Sequence, residues 1–197
     1  METARALAVD THVYAAQGNL FDFDKERWPK KPYCTDYLDD GIYPRSLAIA
    51  IKKRYIQANP PHLRVWSIYD LDREDSALAW EDGGLPQPSW TAVNTQNGHA
   101  HLVYGLSAPV LIDSPDMRQA TLRYLCAVEH AFRVILNADD GYKGLMTKNP
   151  AHPFWRVLRG RTEYYDLGYL SEFVDLPKFI SKKKVAEIGI GRMIKGI

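Results

Sequence analysis

The run Arg64-Val65-Trp66-Ser67-Ile68-Tyr69-Asp70-Leu71-Asp72-Arg73 limits what this chain can build more than any other part of it. Val, Trp, Ile and Tyr favour extended backbone, and Asn59-Pro60-Pro61 just upstream stops any helix from entering. On a strand, side chains two residues apart share a face, so Asp70 and Asp72 project the same way at a spacing of about 7 Å. Two carboxylates at a strand's end suit a pair of hard divalent cations, which sit about 3.5–4 Å apart in phosphoryl and nucleotidyl transfer. The bare pattern is weak, because Asp22-Phe23-Asp24 shares it and nothing downstream supports that copy. The competing reading of Asp70 and Asp72 is a solvated turn after a buried strand.

The remaining patterns predict an α+β fold. Residues 1–44 read as irregular with short elements, and Pro44-Arg45-Ser46 opens a helix expected to run to Gln57. After the strand at 64–70 comes a loop rich in Gly and Pro, then strands at 90–93 and 99–106. Ser114-Pro115-Asp116 has the chemistry of a helix start, and that helix is expected to reach Leu136, burying Leu122, Leu125, Cys126, Phe132 and Ile135. Loops at 138–144 and at Lys148-Asn149-Pro150 follow, then a strand and a short helix or extended piece between Glu163 and Val174. The expected architecture is a central mixed or antiparallel sheet in an RRM-like arrangement, with helices on one side and the metal site on the open face.

At 197 residues, 46% hydrophobic and 25% charged, the chain has room for one sizeable globular domain. No apolar run approaches the ~18 residues of a membrane span, and no charged-then-apolar leader opens the sequence, so a cytoplasmic protein is expected. Cys34 and Cys126 make neither a disulfide framework nor a zinc site. The net charge of +1 hides a basic terminus, in which Lys178, Lys182, Lys183, Lys184, Arg192 and Lys195 face only Glu187. Such a tail favours polyanions or leads into something that binds them. One domain is therefore expected over 1–177, with 1–60 as a smaller N-terminal unit, and 178–197 as a basic tail.

Two further stretches carry chemistry. In Asn97-Gly98-His99-Ala100-His101 both imidazoles share a strand face beside a glycine that admits a phosphate to the backbone. Either histidine can bond a triphosphate or ligate a metal. In Asp139-Asp140-Gly141-Tyr142-Lys143-Gly144-Leu145-Met146-Thr147-Lys148 a carboxylate stands nine residues ahead of a lysine, or else forms an exposed acidic turn.

In this order the motifs resemble the archaeo-eukaryotic primase superfamily, and more closely the replicase (Rep) proteins of colicin-type theta plasmids. The resemblance runs from Lys31-Pro32-Tyr33-Cys34 through Arg54-Tyr55-Ile56-Gln57-Ala58-Asn59-Pro60, the Asp70/Asp72 strand, Pro88-Ser89-Trp90 and Asn97-Gly98-His99-Ala100-His101. It continues through Ala138-Asp139 and Tyr142 to Thr147-Lys148-Asn149-Pro150-Ala151-His152 and Trp155, and ends at Ile188-Gly189-Ile190-Gly191-Arg192. It implies a primase-like catalytic domain over 1–177, in which Asp70, Asp72 and Asp139 hold two ions of Mg2+ or Mn2+. It also implies His101 and Lys148 at the phosphates of a nucleoside triphosphate, with His99 and Asn149 beside them. Asp140 is an alternative third acid, and Asp166 ranks below it. The implied partners are a single-stranded DNA template or plasmid origin, gripped by Arg64, Lys143, Arg156, Arg159 and Arg161, and a host DNA polymerase. Residues 178–197 would begin a missing C-terminal DNA-binding region. The implied activity is synthesis of a short primer at replication initiation. The rivals are a rolling-circle or relaxase-type (HUH) endonuclease, using His99, His101 and a tyrosine such as Tyr124, and a non-catalytic origin-binding module.

Overall fold

The computed structural model describes residues 25–177. The Asp22-x-Asp24 pattern, the basic tail at 178–197 and Ile188-Gly189-Ile190-Gly191-Arg192 lie outside the described residues. In chain order the strands are β1 (Tyr33–Thr35), β2 (Tyr43–Pro44), β3 (Tyr55–Ile56), β4 (Leu63–Leu71), β5 (Trp90–Val93), β6 (Ala100–Leu111), β7 (Thr147–Lys148) and β8 (Arg156–Arg159). The α-helices are α1 (Leu47–Ala50), α2 (Ala79–Asp82), α3 (Gln119–Leu136) and α4 (Leu167–Ser171). They form an α+β fold with two four-stranded sheets, ordered β4-β6-β5-β8 and β2-β1-β3-β7, in which every strand pair is antiparallel.

Alternation along β4 and β6 sorts the side chains of the larger sheet. Tyr69, Leu71, Leu102, Tyr104 and Leu106 face α3, where they pack on Leu122, Leu125, Phe132 and Leu136. Trp66, Ile68 and Val103 face the other way, into a second core with Trp28, Ile56, Trp90 and Trp155. Asp70 and His101 follow the second set. That face is not open: the smaller sheet roofs it, and Cys34 and Ile56 come from that roof. The acidic strand end therefore emerges between two sheets, not on a bare surface.

Where the β4–β6 register shifts, a side chain repairs the ladder. Pairing runs from Arg64↔Val110 to Trp66↔Gly105, so β6 carries extra residues there, including Pro109, which has no amide to donate. Asn59 Oδ1 accepts from the amides of Val65 and Trp66, both at 2.8 Å, and its Nδ2 donates to the Trp66 carbonyl at 2.9 Å.

Several elements differ from the sequence expectation. The helix from 44 to 57 shortens to Leu47–Ala50, because Asn149 Nδ2 takes the carbonyls of Ile51 and Lys53, and Ile56 pairs with Cys34 and Thr147. The long helix begins at Gln119 rather than at Ser114, whose hydroxyl is used in a local turn with the Asp116 amide at 3.2 Å. Ile135 is exposed, whereas Leu136 is buried. Residues 163–174 form no strand: Tyr165 makes a single bridge to Leu106, and Asp166 caps α4 through the Gly168 amide. Lys148 lies in a strand, β7, and not in a turn.

Candidate active site

β4 delivers Asp70 next to its ladder partner His101, and Asp72 follows just beyond the strand. The third carboxylate arrives from α3. Asn137 takes a left-handed conformation (φ 46°) that ends the helix, a role Asn tolerates better than most residues. The Asp139 amide then donates to the Asp70 carbonyl at 2.8 Å, and Arg73 donates to the Leu136 carbonyl at 2.7 Å. These two bonds clamp the end of α3 to the end of β4. Asp139 Oδ1 accepts from the Gly141 amide at 2.7 Å, which turns the loop back on itself. As a result one carboxylate oxygen from each of Asp70, Asp72 and Asp139 lies within 4.8 Å of the others.

Asp70 Oδ1 receives His101 Nε2 at 3.0 Å and Lys148 Nζ at 3.4 Å. Burial would raise the Asp70 carboxyl, but the His101 hydrogen bond and the nearby positive charges outweigh it and hold the group down at about 2. Burial first, and then the Lys148 charge, push the His101 imidazole below its ordinary value. The bonding agrees with a neutral ring. The Lys148 backbone amide donates to His101 Nδ1 at 3.3 Å, so Nδ1 carries a lone pair and the proton sits on Nε2, directed at Asp70. Thr147 Oγ1 also meets Nδ1, at 2.9 Å. The Tyr142 ring stands edge-on to the imidazole at 5.1 Å, with its hydroxyl donating to the Met146 carbonyl. Burial also lowers the Lys148 ammonium, against the pull of Asp70.

The outer pair is built differently. His99 Nδ1 lies 3.0 Å from Asp72 Oδ1, and both side chains are partly or largely exposed. Gly98 has φ +74°, and any Cβ there would strike the Glu74 backbone. The glycine therefore serves the close crossing of two loops that sets His99 beside Asp72, where the sequence predicted an opening for phosphate. Around both pairs lies a cleft of about 440 Å³, lined also by Tyr55, Asn94, Asn97, Tyr142 and Lys143.

The other residues marked by sequence fall elsewhere. Asp140 turns toward Arg133, at 3.9 Å, so the geometry groups Asp139 and not Asp140 with the strand carboxylates. Asp166 is a helix cap. Asn149 is fully buried and spends its amide on Ile51, Lys53 and Ala151, which makes it a brace for the lysine strand rather than a nucleotide contact. Arg64 is buried against Glu129 at 3.2 Å and so cannot meet a DNA phosphate. Arg156 and Arg159 are exposed on β8, and Arg161 covers the Tyr165 ring at 4.7 Å; of the five basic residues only Lys143 lines the cleft. Tyr124 extends from α3, on the far side of the larger sheet from His101, and bonds Ser171 at 2.7 Å. Sequence reasoning passed over Thr147 and Arg73. Thr147 stands directly before the lysine already singled out, whereas no local pattern marks Arg73.

The chain combines antiparallel sheets with a carboxylate trio at the end of β4. Its fold is similar to the AEP domain (PP-N190) of the primase-polymerase of cyanophage S-2L, with a TM-score of 0.50 at 14% identity over 73% of this chain and 87% of that one. The chain belongs to the Replicase family, whose profile matches residues 27–174. Among curated proteins none matches. The family model places the chain with replicases, and the likeness to the primase-polymerase domain is one of fold. Among the described residues no helix is long and apolar enough to cross a membrane.

Proposed function

We propose that this chain is a nucleotidyltransferase that makes a short primer on single-stranded DNA at a plasmid origin. The observation that carries the reading is the convergence of Asp70, Asp72 and Asp139 within 4.8 Å of one another, beside the His101–Asp70–Lys148 cluster. The donor set fits Mg2+ or Mn2+: three hard carboxylate oxygens, two from the end of β4 and one from the turn after α3. Such ions, when bound, make the attacking 3′-hydroxyl more acidic and offset the charge of the triphosphate.

The chain's own groups supply the rest. The His101 Nε2–H bond fixes the Asp70 carboxylate, and because both contacts fall on Oδ1 the second oxygen is left to act as a ligand. Lys148 offers a buried ammonium and Lys143 an exposed one to the phosphates. In the reaction the 3′-hydroxyl gives up its proton to solvent, its oxygen attacks the α-phosphorus to form a new P–O bond, and the bond to pyrophosphate breaks. The two cations supply a counter-charge to that leaving group. His99 orients Asp72 at the mouth of the cleft. The nuclease reading is disfavoured because Tyr124 stands across the sheet from both histidines, which are themselves bonded to aspartates.

The test is incorporation of labelled nucleoside triphosphates on a single-stranded template with Mg2+ or Mn2+. Asp70→Asn, Asp72→Asn and Asp139→Asn are each expected to reduce product to background with the fold retained. Full synthesis by Asp70→Asn would overturn the proposal, and an Asp139→Asn enzyme as active as Asp140→Asn would remove Asp139 from it.

A further inference from the structure

The smaller sheet carries a feature that the proposed chemistry does not use. Tyr37 and Tyr43 are 56% and 54% exposed, two aromatic rings presented to solvent on one side of the smaller sheet. Each has an arginine guanidinium on its ring: Arg54 lies 4.9 Å from the Tyr37 centroid and Arg45 lies 5.8 Å from that of Tyr43. The two rings line one open hollow of about 420 Å³, whose charged lining is Arg45 and Lys53 with Asp36 and Asp40. Between positions 30 and 54 six basic residues (Lys30, Lys31, Arg45, Lys52, Lys53, Arg54) face three acids (Asp36, Asp39, Asp40). Asp36 and Lys53 pair at 2.6 Å and offset each other, which leaves five basic residues against two acids.

We propose that this Tyr37–Tyr43 platform docks single-stranded DNA by base stacking and passes it into the carboxylate cleft. Exposed aromatic faces beside basic side chains bind unpaired strands of any sequence, because every base has a π-face. A duplex hides its faces and offers only phosphates. The platform also leads into the cleft. Leu38, next to Tyr37, and Tyr55, which pairs with Thr35, both line it. The sheet order β2-β1-β3-β7 puts Tyr43 on one edge strand and Lys148 on the other, about 14 Å apart at the usual strand spacing. The arginines keep the rings in place before a base arrives, which reduces the ordering cost of binding. This surface differs from the Arg156–Arg161 segment that the sequence had marked for DNA. The inference rests on the proposed function only for the identity of the strand as template.

The experiment is fluorescence anisotropy with the full 197-residue chain and labelled oligo-dT and oligo-dA, in EDTA and without nucleotides. Tyr37→Ala/Tyr43→Ala is expected to weaken binding of both oligonucleotides at least tenfold, and Tyr37→Phe/Tyr43→Phe to bind within twofold of the parent. Both rings are exposed, so an unchanged melting temperature is expected and excludes unfolding as the cause. Unaltered affinity in the alanine variant overturns the proposal, as does equal loss of duplex binding. So does a concentration-dependent dimer that the alanine pair abolishes, since the rings would then serve a second copy of the chain. The assay needs neither metal nor chemistry, so the two readings fail separately. A chain that binds strands through the tyrosines yet makes no primer spares the platform, and primer synthesis with an unaffected alanine variant spares only the enzyme.

Discussion

His101 and Asp70 sit on the inner wall of the cleft with side chains 4% and 18% exposed, while His99 and Asp72 sit at its mouth at 33% and 58%. Both pairs close at 3.0 Å, and both bring the same two residue types from the same two chain segments. The difference lies in their surroundings. The inner pair is tied on all sides, to Thr147, to the Lys148 amide and to the Lys148 ammonium, so its geometry is set before any ligand arrives. The outer pair is held in high dielectric, where an ion pair is worth little and its members are free to rearrange around a substrate. Chemistry that needs a fixed ligand and an adjustable one is served by such a division.

The largest expected effect breaks the symmetry of the two aspartates. Asp70→Ala leaves the Lys148 ammonium buried without a counter-charge, which costs about 3 kcal/mol in metal-free protein. Asp72→Ala removes one of three crowded like charges from an exposed site and is expected to leave stability unchanged or slightly raised. Both should abolish synthesis. Urea denaturation in EDTA reads the stability difference, and equal destabilisation by the two variants would show that the buried network carries no special weight.

His101→Gln is the next step down. The ring orients Asp70 from outside the ligand set, and removing such a partner typically costs about 10–100-fold in metal affinity or activity. Mn2+ titration followed by calorimetry, beside the rate of primer synthesis, checks this. A change in rate with no change in metal affinity would move His101 from positioning Asp70 to contacting the nucleotide, the role that the sequence resemblance implied.

How far the site could be read from sequence follows the same inner and outer division. Asp70 and Asp72 were legible because period-2 alternation fixes which residues share a face, and the same alternation placed His99 and His101. The third acid needed a helix end to be folded back on a strand, and what does this is a left-handed Asn137 and an Arg73 contact 63 residues from its partner, neither of which has a local signature. Asn149 misled because an amide beside a lysine looks like a ligand, while in three dimensions its hydrogen bonds brace residues 51–53 and end a helix that hydrophobic periodicity had extended to Gln57. Arg64 misled similarly: the sequence shows a cation but not the buried Glu129 that holds it.

The buried pair should also leave its mark on acid stability. The folded Asp70 carboxyl is depressed to about 2 from an ordinary 3.8, a difference that corresponds to about 2 kcal/mol. A depressed carboxyl stabilises the fold above its unfolded value and loses that contribution as pH falls through the folded one. In EDTA, wild-type unfolding free energy should therefore fall from about pH 4 toward pH 2 by this amount beyond other groups. Asp70→Asn is expected to flatten that limb. An unchanged acid limb in Asp70→Asn would mean that His101 and Lys148 do not select the ionised form.

The smallest effect belongs to His99. Its bond to Asp72 is exposed, and exposed pairs contribute under about 1 kcal/mol, which is a factor of about five in a rate or an affinity. His99→Ala is thus expected to lower primer synthesis by no more than about fivefold, mostly in the apparent KM for nucleotide, with melting unchanged. The sharper result is the double variant. If the outer pair acts as one adjustable unit, His99→Ala placed on Asp72→Glu adds almost nothing to the loss from Asp72→Glu alone, since the carboxylate it orients has already moved. Full additivity would separate the two residues and leave His99 as an independent contact to the substrate. A loss of a hundredfold or more from His99→Ala alone would erase the contrast between the pairs, because an exposed imidazole would then match what His101 does under the protection of the sheet.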